Sequence, residues 1–275
     1  MISSIIGIQF QSGGKPYHFN ASGFSDLEKG DYVIVETNRG QQLGRVAIIL
    51  SPKKVSQERN WKPILRKATP RDLVLRQVWE KKEQKALETC QEMVTRDKNL
   101  QAVKFVAAEH SLGGESLVFL YCYEEKGDPN LDSIIHTMEQ AYPEAEIVMR
   151  RIGPRDAAKI LGGMGACGRE IRCCTEFMTG FKSISIKKAK AQGVSLVPSE
   201  ISGMCGRLRC CLDHEYELYV EAKKKLPKRG KHVQTAKGEG KVVRLSPLKG
   251  TVMVNLGEAG IQEFSQEELE QAKKE

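Results

Sequence analysis

Hydrophobic and polar residues alternate over the first fifty residues in the two-residue period of β-strands. The runs are short and are separated by turns such as Asn38-Arg39-Gly40, which is typical of a small antiparallel barrel. Residues 51–68 are polar and basic, and we interpret them as a connector. The alternation predicts strands over 5–10, 16–20, 32–36 and 42–50.

The period then changes to that of a helix. Thr69 is a suitable N-cap and Pro70 a suitable first helical residue, so a long helix is predicted over 70–98. Its apolar stripe includes Cys90, which we therefore interpret as a core residue. The other members of the stripe are Leu75, Trp79, Ala86 and Met93.

Together with this helix, the residues up to 154 predict a two-layer sandwich. Strands over 103–107 and 116–123 flank the turn Gly113-Gly114, and a helix over 132–142 precedes a strand over 147–152. Helix–strand–strand–helix–strand is the order of an α+β sandwich. Cys122 lies in the second strand and is interpreted as structural.

The last third of the chain predicts short helices and then a second barrel-like segment. Helices are expected over 155–161, 183–192 and 215–226, and strands over 232–235, 238–245 and 251–256. A Glu-rich, partly helical end follows over 265–274. The fold class is therefore α+β in four segments: 1–62 β-rich, 63–154 sandwich, 155–226 cysteine-rich and 227–275 β-rich.

Composition is that of an ordinary globular protein. The 275 residues are 40% hydrophobic and 28% charged, and no apolar run approaches the ~20 residues of a membrane helix. The N-terminus lacks a basic region and a cleavage site, so we expect a cytoplasmic protein without membrane insertion. In a reducing cytosol, clustered cysteines indicate metal ligands or redox groups more than disulfides.

Six of the eight cysteines occur in two near-copies of one motif. The first copy is Cys167-Gly-Arg-Glu-Ile-Arg-Cys173-Cys174, and the second is Cys205-Gly-Arg-Leu-Arg-Cys210-Cys211. Each has a lone cysteine followed by Gly-Arg and then a vicinal pair. Clustered thiolates are suited to a soft metal centre, and nearby positive charge lowers thiol pKa values. The adjacent arginines are Arg169, Arg172, Arg207 and Arg209.

The number of thiols leaves the arrangement open. A four-iron, four-sulfide (4Fe-4S) cluster takes four thiolates, so six fill one site with two to spare or fall two short of filling two. A partner chain would supply the missing ligands. Zinc is the alternative metal, although the spacing differs from common zinc modules and His214 opens a charged helix. No Walker loop, dinucleotide fingerprint or nucleophile–base pattern is present, so we expect a protein without enzymatic activity.

Basic residues suggest a rival function. The formal net charge is +8, and two basic stretches stand out, at 150–172 and at 223–231. They permit contact with RNA or with an acidic protein, and an RNA-binding module in which the thiols merely pack is the second hypothesis. Candidate RNA or partner contacts are Arg169, Arg172, Arg207, Arg209, Lys223, Lys224, Lys225, Lys228 and Arg229.

The second motif with its flank, Ile201-Ser-Gly-Met-Cys-Gly-Arg-Leu-Arg-Cys-Cys211, resembles the signature of the bacterial YaaT/RicT family. These proteins share a conserved C-terminal region with a yeast suppressor of polymerase mutations, and the resemblance extends over nearly the full length. Further matching stretches are Gly7–Phe10, Val33–Gly40, Asp156–Gly163, Ser185–Lys190 and Ser195–Ser199.

The resemblance implies a non-enzymatic subunit that forms a complex with RicA-like and RicF-like proteins. Such a complex carries 4Fe-4S clusters and works with the endoribonuclease RNase Y in mRNA processing, which affects sporulation, competence and biofilm formation. The six motif cysteines then align with the family's cysteines. One departure is visible: five residues instead of the usual four separate Cys167 from the pair, and we interpret Arg172 as the extra residue.

Overall fold

The computed structural model describes residues 5–11, 14–38, 40–50, 61–178 and 180–272. It is a mixed α/β fold, as predicted. The chain divides into two compact units. Unit 1 consists of residues 1–180 and 204–207, and unit 2 of residues 181–203 and 208–275. The prediction of four segments, with boundaries after 62, 154 and 226, stays a prediction.

Unit 1 begins with a five-stranded antiparallel sheet in the order β2-β1-β4-β3-β5. Its edge strands meet at Asn20, whose N–H donates to the Lys62 carbonyl at 2.9 Å, so the sheet curls into a half-barrel. Apolar residues that include Ile8 and Val33 fill the inside. The strands are β1 Ile5–Gln9, β2 Tyr17–Asn20, β3 Tyr32–Thr37, β4 Gly40–Leu50 and β5 Ile64–Lys67.

The fifth strand corrects the prediction of a connector over 51–68. Residues 51–60 lie outside the described residues, while Ile64–Lys67 pairs with β3. Only Ile64 of this strand is buried, since β5 is an edge strand. Four residues with one buried position carry no recognisable alternation, so the sequence gives little signal for it.

The second part of unit 1 is the predicted helix–strand–strand–helix–strand sandwich. β6 and β7 are antiparallel, and β7 and β8 are parallel because helix α2 provides the crossover between them. The core contains Cys90, Phe119 and Ile134, which confirms the interpretation of Cys90. The elements are α1 Pro70–Arg96, β6 Val103–His110, β7 Ser116–Tyr123, α2 Asp132–Ala141 and β8 Glu146–Arg151.

Helix α1 begins where the sequence predicts. The Thr69 hydroxyl accepts from the Asp72 N–H at 3.4 Å and the Asp72 carboxylate accepts from the Thr69 N–H at 2.7 Å, which is a capping box. Arg66 of β5 also donates twice to the Asp72 carboxylate, at 2.5 and 2.8 Å. These bonds hold the pKa of Asp72 well below its usual range. One carboxylate thus joins the half-barrel to the long helix.

A buried polar cluster joins the long helix α1 to β6 and to the turn that follows it. The His110 ring stacks on Trp79 with centroids 4.6 Å apart, and Trp79 Nε1 donates to the Leu112 carbonyl at 3.0 Å. Glu83 accepts from the His110 N–H at 2.6 Å and from Arg76 at 2.7 and 3.0 Å. Burial, followed by the positive charges of Lys82 and Arg76, lowers the pKa of His110 to about 4.

The remaining helices of unit 1 frame the first cysteine motif, and unit 2 contains the second pair and the last sheet. That sheet is an antiparallel meander in the order β12-β11-β10-β9, with a core that includes Val242 and Phe264. The helices are α3 Pro154–Leu161, α4 Cys173–Glu176, α5 Ile186–Gln192, α6 Pro198–Ile201, α7 Cys211–His214, α8 Tyr216–Lys224 and α9 Gln266–Gln271. The strands are β9 His232–Thr235, β10 Gly238–Ser246, β11 Thr251–Asn255 and β12 Ile261–Ser265.

Strand β12 is absent from the sequence prediction, which gave three strands to this segment. It pairs with β11 along its whole length, and Phe264 is its one buried residue. Within the described part of the chain, no helix has the length and apolarity that crossing a membrane requires.

Candidate functional site

The first cysteine motif forms a loop between α3 and α4. The Gly165 N–H donates to the Arg169 carbonyl at 2.8 Å, and the Arg172 N–H donates to the Gly163 carbonyl at 3.2 Å. These bonds close the loop and leave Cys167 exposed near its tip. The lone thiol is therefore accessible on a loop whose base is fixed.

Two glycines shape this loop. Gly168 follows the lone cysteine with φ +85°, a left-handed conformation that favours glycine. A Cβ at Gly165 would lie 3.4 Å from Cys167 Sγ, so this sulfur lies directly over the backbone of Gly165. The glycine directly after the lone cysteine thus suits the left-handed turn at this position.

Arg172 binds backbone carbonyls. Its Nη1 donates to the Ala158 carbonyl at 2.6 Å and its Nε to the Met164 carbonyl at 3.1 Å. The first of these carbonyls belongs to α3, so the guanidinium joins the helix to the loop. This arginine therefore supports the loop in addition to supplying positive charge.

Arg169 supplies charge beside the thiols. It donates to the Glu176 carboxylate at 2.6 Å, and this bond raises the pKa of the Arg169 guanidinium. The Cys173 and Cys167 thiols add to the same shift when they are ionised, so both lie within electrostatic reach of Arg169. Arg169 therefore places a positive charge near two thiols of the first motif.

The first vicinal pair begins a helix. Cys173 and Cys174 are the first two residues of α4, with Cys173 half-buried and Cys174 buried. In a strand, adjacent side chains would point to opposite faces, whereas a helix start turns them only partly apart. This is the local geometry in which two adjacent thiols could contribute to one centre.

The second motif repeats this backbone arrangement. The Arg209 N–H donates to the Ile201 carbonyl at 2.8 Å, and a bridge between Ser202 and Leu208 closes a loop that carries Cys205. Gly206 follows this cysteine with φ +70°. Cys205, Cys210 and Cys211 are each half-buried, and Cys211 begins α7.

Arg209 has the same function in its motif as Arg172 has in the first. Its Nε donates to the Ser202 carbonyl and its Nη2 to the Ser199 carbonyl, both at 3.1 Å. Each arginine directly precedes its cysteine pair and binds carbonyls of the preceding segment. Arg172 therefore corresponds to Arg209 and is not the extra residue of the first motif, which corrects the sequence interpretation. The extra residue is Glu170 or Ile171, both of which are exposed in the loop.

Helix α5 supports the second pair from within unit 2. Lys188 forms an ion pair with Asp213 of α7, and Gln192 Nε2 donates to the Leu212 carbonyl at 2.7 Å. Leu212 also packs in a small core with Ala189 and Ile201. Sequence reasoning assigned no role to these contacts, and the only signal was the family-like stretch Ser185–Lys190.

The six motif thiols are the kind of ligand that an iron–sulfur cluster takes, since they are partly accessible and have arginine charge nearby. Among the described residues, however, no three His, Cys, Asp or Glu side chains form a group that could hold a metal ion. His214 is exposed at the end of α7. Convergence of four protein ligands on one centre is thus not found within the described part of this chain.

The two other cysteines are poor ligands. Burial raises the pKa of the Cys90 thiol to about 12 and raises that of Cys122 as well. Both pack in apolar surroundings, as predicted. The thiolate form that a metal needs is therefore disfavoured at these positions.

The predicted cationic contacts separate into two kinds. Arg172 and Arg209 are occupied with backbone carbonyls, and Arg169 is paired with Glu176. Arg207 is exposed in the second loop. At the end of α8 and after it, Lys223 is half-buried and the other predicted cationic contacts are exposed. These are Lys224, Lys225, Lys228 and Arg229.

Comparison with known proteins gives matches over most of this architecture. Residues 62–152 match the family described as PSP1 C-terminal conserved region, and residues 183–226 match PSP1-like protein, third domain. Over 270 residues the chain is 36% identical to stage 0 sporulation protein YaaT of Bacillus subtilis (strain 168), covering 97% of this chain and 95% of that protein. No solved structure is significantly similar.

Proposed function

Because the chain belongs to the YaaT/RicT family of PSP1-domain proteins, we propose that it is a non-enzymatic regulatory subunit that binds iron–sulfur clusters together with partner proteins. The observation that carries the proposal is the duplicated thiol motif. Both copies place a lone cysteine on a closed loop and a vicinal pair at a helix start. The bound group would be a 4Fe-4S cluster, and it would supply redox and oxygen sensitivity. Its ligands from this chain would be Cys167, Cys173, Cys174, Cys205, Cys210 and Cys211.

Partner subunits enter the proposal because of the ligand shortfall. Six thiols are two short of two complete clusters, and the described side chains of this chain do not converge into one metal-holding group. RicA-like and RicF-like proteins would supply the missing ligands. The exposed apolar residues beside the first loop, Leu161 and Met164, support docking of a protein there, since they are 67% and 60% exposed.

The biological setting follows from the relative. The Bacillus protein is a sporulation protein by name, and we extend that role to this chain. In the proposed complex the subunit modulates RNase Y-dependent mRNA processing, with effects on sporulation, competence and biofilm programmes. It acts by binding and positioning, because its sequence contains no recognisable catalytic motif.

The test is anaerobic purification, alone and co-expressed with RicA-like and RicF-like partners, with iron, acid-labile sulfide and zinc quantified beside a visible absorption spectrum. Iron and sulfide in the complex are expected, and Cys210→Ser should remove a large part of both. Cys122→Ala is the matched control, because its buried thiol has a raised pKa and should not be a ligand.

Three outcomes would contradict the proposal. Zinc without iron in the complex would make the thiols a structural zinc site. Absence of any metal, with or without partners, would leave the motifs as packing elements. Loss of iron in Cys122→Ala with a folded complex would show that the motif thiols are not the specific ligands.

A further inference from the structure

The positive charge of this chain is concentrated in residues 223–249. This stretch contains ten lysines and arginines and a single acid, Glu239, which is a formal net charge of +9 compared with +8 for the whole chain. The rest of the chain therefore has a formal net charge of −1. Protein surfaces usually intersperse both signs, so this segregation points to a polyanionic ligand.

The fold holds these cations close together within unit 2. Helix α8 ends in Lys223 and Lys224, and the buried Leu226 anchors its end in the core of the last sheet. A turn follows in which the Lys231 N–H donates to the Lys228 carbonyl at 3.1 Å.

Strand β10 fixes that turn and adds to the surface. The Gly230 N–H donates to the Val242 carbonyl at 2.8 Å, and the Val242 N–H donates to the Lys231 carbonyl at 2.9 Å. Lys241 lies directly opposite His232, the neighbour of Lys231. The 3-10 turn Pro247–Lys249 packs against α8 and brings Lys249 to the same region.

The cations of this surface have no internal counter-charge. Among the described residues, the side chains of these cations form no ion pair, and only Lys237 donates a side-chain hydrogen bond, to the neutral Gln262 at 2.8 Å. Elsewhere Lys67, Arg151 and Lys188 are paired with carboxylates. The one acid of the stretch, Glu239, forms no ion pair with these cations; its carboxylate Oε1 lies 3.4 Å from His232 Nδ1. The exposed members without a partner are Lys224, Lys225, Lys228, Arg229, Lys231, Lys241, Arg244 and Lys249.

We propose that residues 223–249 bind the phosphate backbone of RNA without reading its bases. A protein partner would call for aromatic and apolar anchors with few charges, whereas nucleic-acid interfaces are strongly positive. The stretch contains no Phe, Tyr or Trp, so bases have no aromatic platform on which to stack. Its one large exposed apolar side chain is Leu248. The proposal goes beyond the proposed function and does not require iron at the cysteines.

The test is fluorescence anisotropy of labelled RNA oligonucleotides with the full-length chain over a range of salt concentrations. The K224Q/K225Q/K228Q variant removes three charges from the surface, and K81Q/K85Q/K126Q removes three exposed lysine charges elsewhere. We expect linear salt dependence for the unchanged chain, with the slope lowered by about 2 to 3 in the first variant. Its affinity should fall at least about tenfold, while the control should change by less than about twofold. Cys210→Ser should leave RNA binding unchanged, so this test is separate from the iron measurement.

Several results would overturn the proposal. These are absence of RNA binding at low salt, an equal loss in both triple-lysine variants, or an unchanged slope. Affinities that differ more than about tenfold among RNA sequences would contradict backbone binding. Tighter binding to polyglutamate or to phosphatidylglycerol vesicles than to RNA would assign the surface to an acidic protein or to a membrane.

Discussion

The arginine before each cysteine pair has a role that charge alone does not explain. We expect Arg172→Ala to lower the free energy of unfolding by about 1–3 kcal/mol, because it removes hydrogen bonds to the Ala158 and Met164 carbonyls. Arg169→Ala, which removes an exposed ion pair with Glu176, should have a clearly smaller effect on stability, because solvent screens such pairs. Urea unfolding of the two variants provides the comparison, and equal effects would contradict the assignment.

The buried His110 should make the stability of the fold depend on pH. The folded state holds His110 with a pKa of about 4, while the unfolded chain has the ordinary value of 6.5. The unfolded state therefore binds more protons between these values, and stability should fall as pH drops from 6.5 toward 4, by up to about 3 kcal/mol.

His110→Phe preserves a ring against Trp79 but cannot titrate, so this variant should lose less stability over that pH window. Urea unfolding at several pH values measures the difference. His136→Phe, at an exposed helical position, is the control and should keep the dependence of the unchanged chain. Parallel pH profiles for His110→Phe and the unchanged chain would contradict the prediction.

At the level of residues, the sequence predicted the thiols better than their surroundings. Cysteine spacing alone identifies both motifs, and helical spacing identifies Cys90 as a core residue. The partners of Arg172 and Arg209 are carbonyls up to fourteen residues away, and such contacts depend on where the preceding helix ends. For that reason the sequence alone indicates only charge near the thiols for all four motif arginines.

At the level of elements, the start of α1 is the strongest local signal and leads to a prediction. Asp72→Ala removes half of the capping box and both hydrogen bonds from Arg66, and we expect a cost of about 2–3 kcal/mol. Amide hydrogen exchange in the first turn of α1 should accelerate. Asp132→Ala, in the first turn of α2 where no side-chain cap bond forms, is the control and should have a small effect. Similar exchange in both helices would contradict a special role for Asp72.

Elements were predictable in proportion to their length and periodicity. The long helix has several turns and the strands of the sandwich are six to eight residues long, and their predicted positions agree with the structure to within a few residues. Strands β5 and β12 have one buried residue each, and α4, α6 and α7 are single turns of four residues. Such pieces have no measurable period, so tertiary contacts decide their conformation.

At the scale of the whole molecule, the duplication of the motif suggests two separate cluster sites. Each motif has its own closing hydrogen bonds and its own stabilising arginine. We therefore expect Cys173→Ser and Cys210→Ser each to remove about half of the iron from the complex with partners, and the double variant to remove nearly all of it. Iron and protein analysis of the three purified complexes provides the measurement. Complete loss in either single variant would indicate one shared centre.

The backbone of the first motif's loop is constrained at two points. One is the glycine turn after Cys167, and the other is the arginine before Cys173, which binds backbone carbonyls. The extra residue, Glu170 or Ile171, lies between these two points and takes part in neither constraint. A residue added or removed at this point would therefore leave the carbonyl bonds of Arg172 and the start of α4 in place. A longer or shorter spacer would thus change the distance between the Cys167 thiol and the pair on α4, while the pair itself stays where α4 begins.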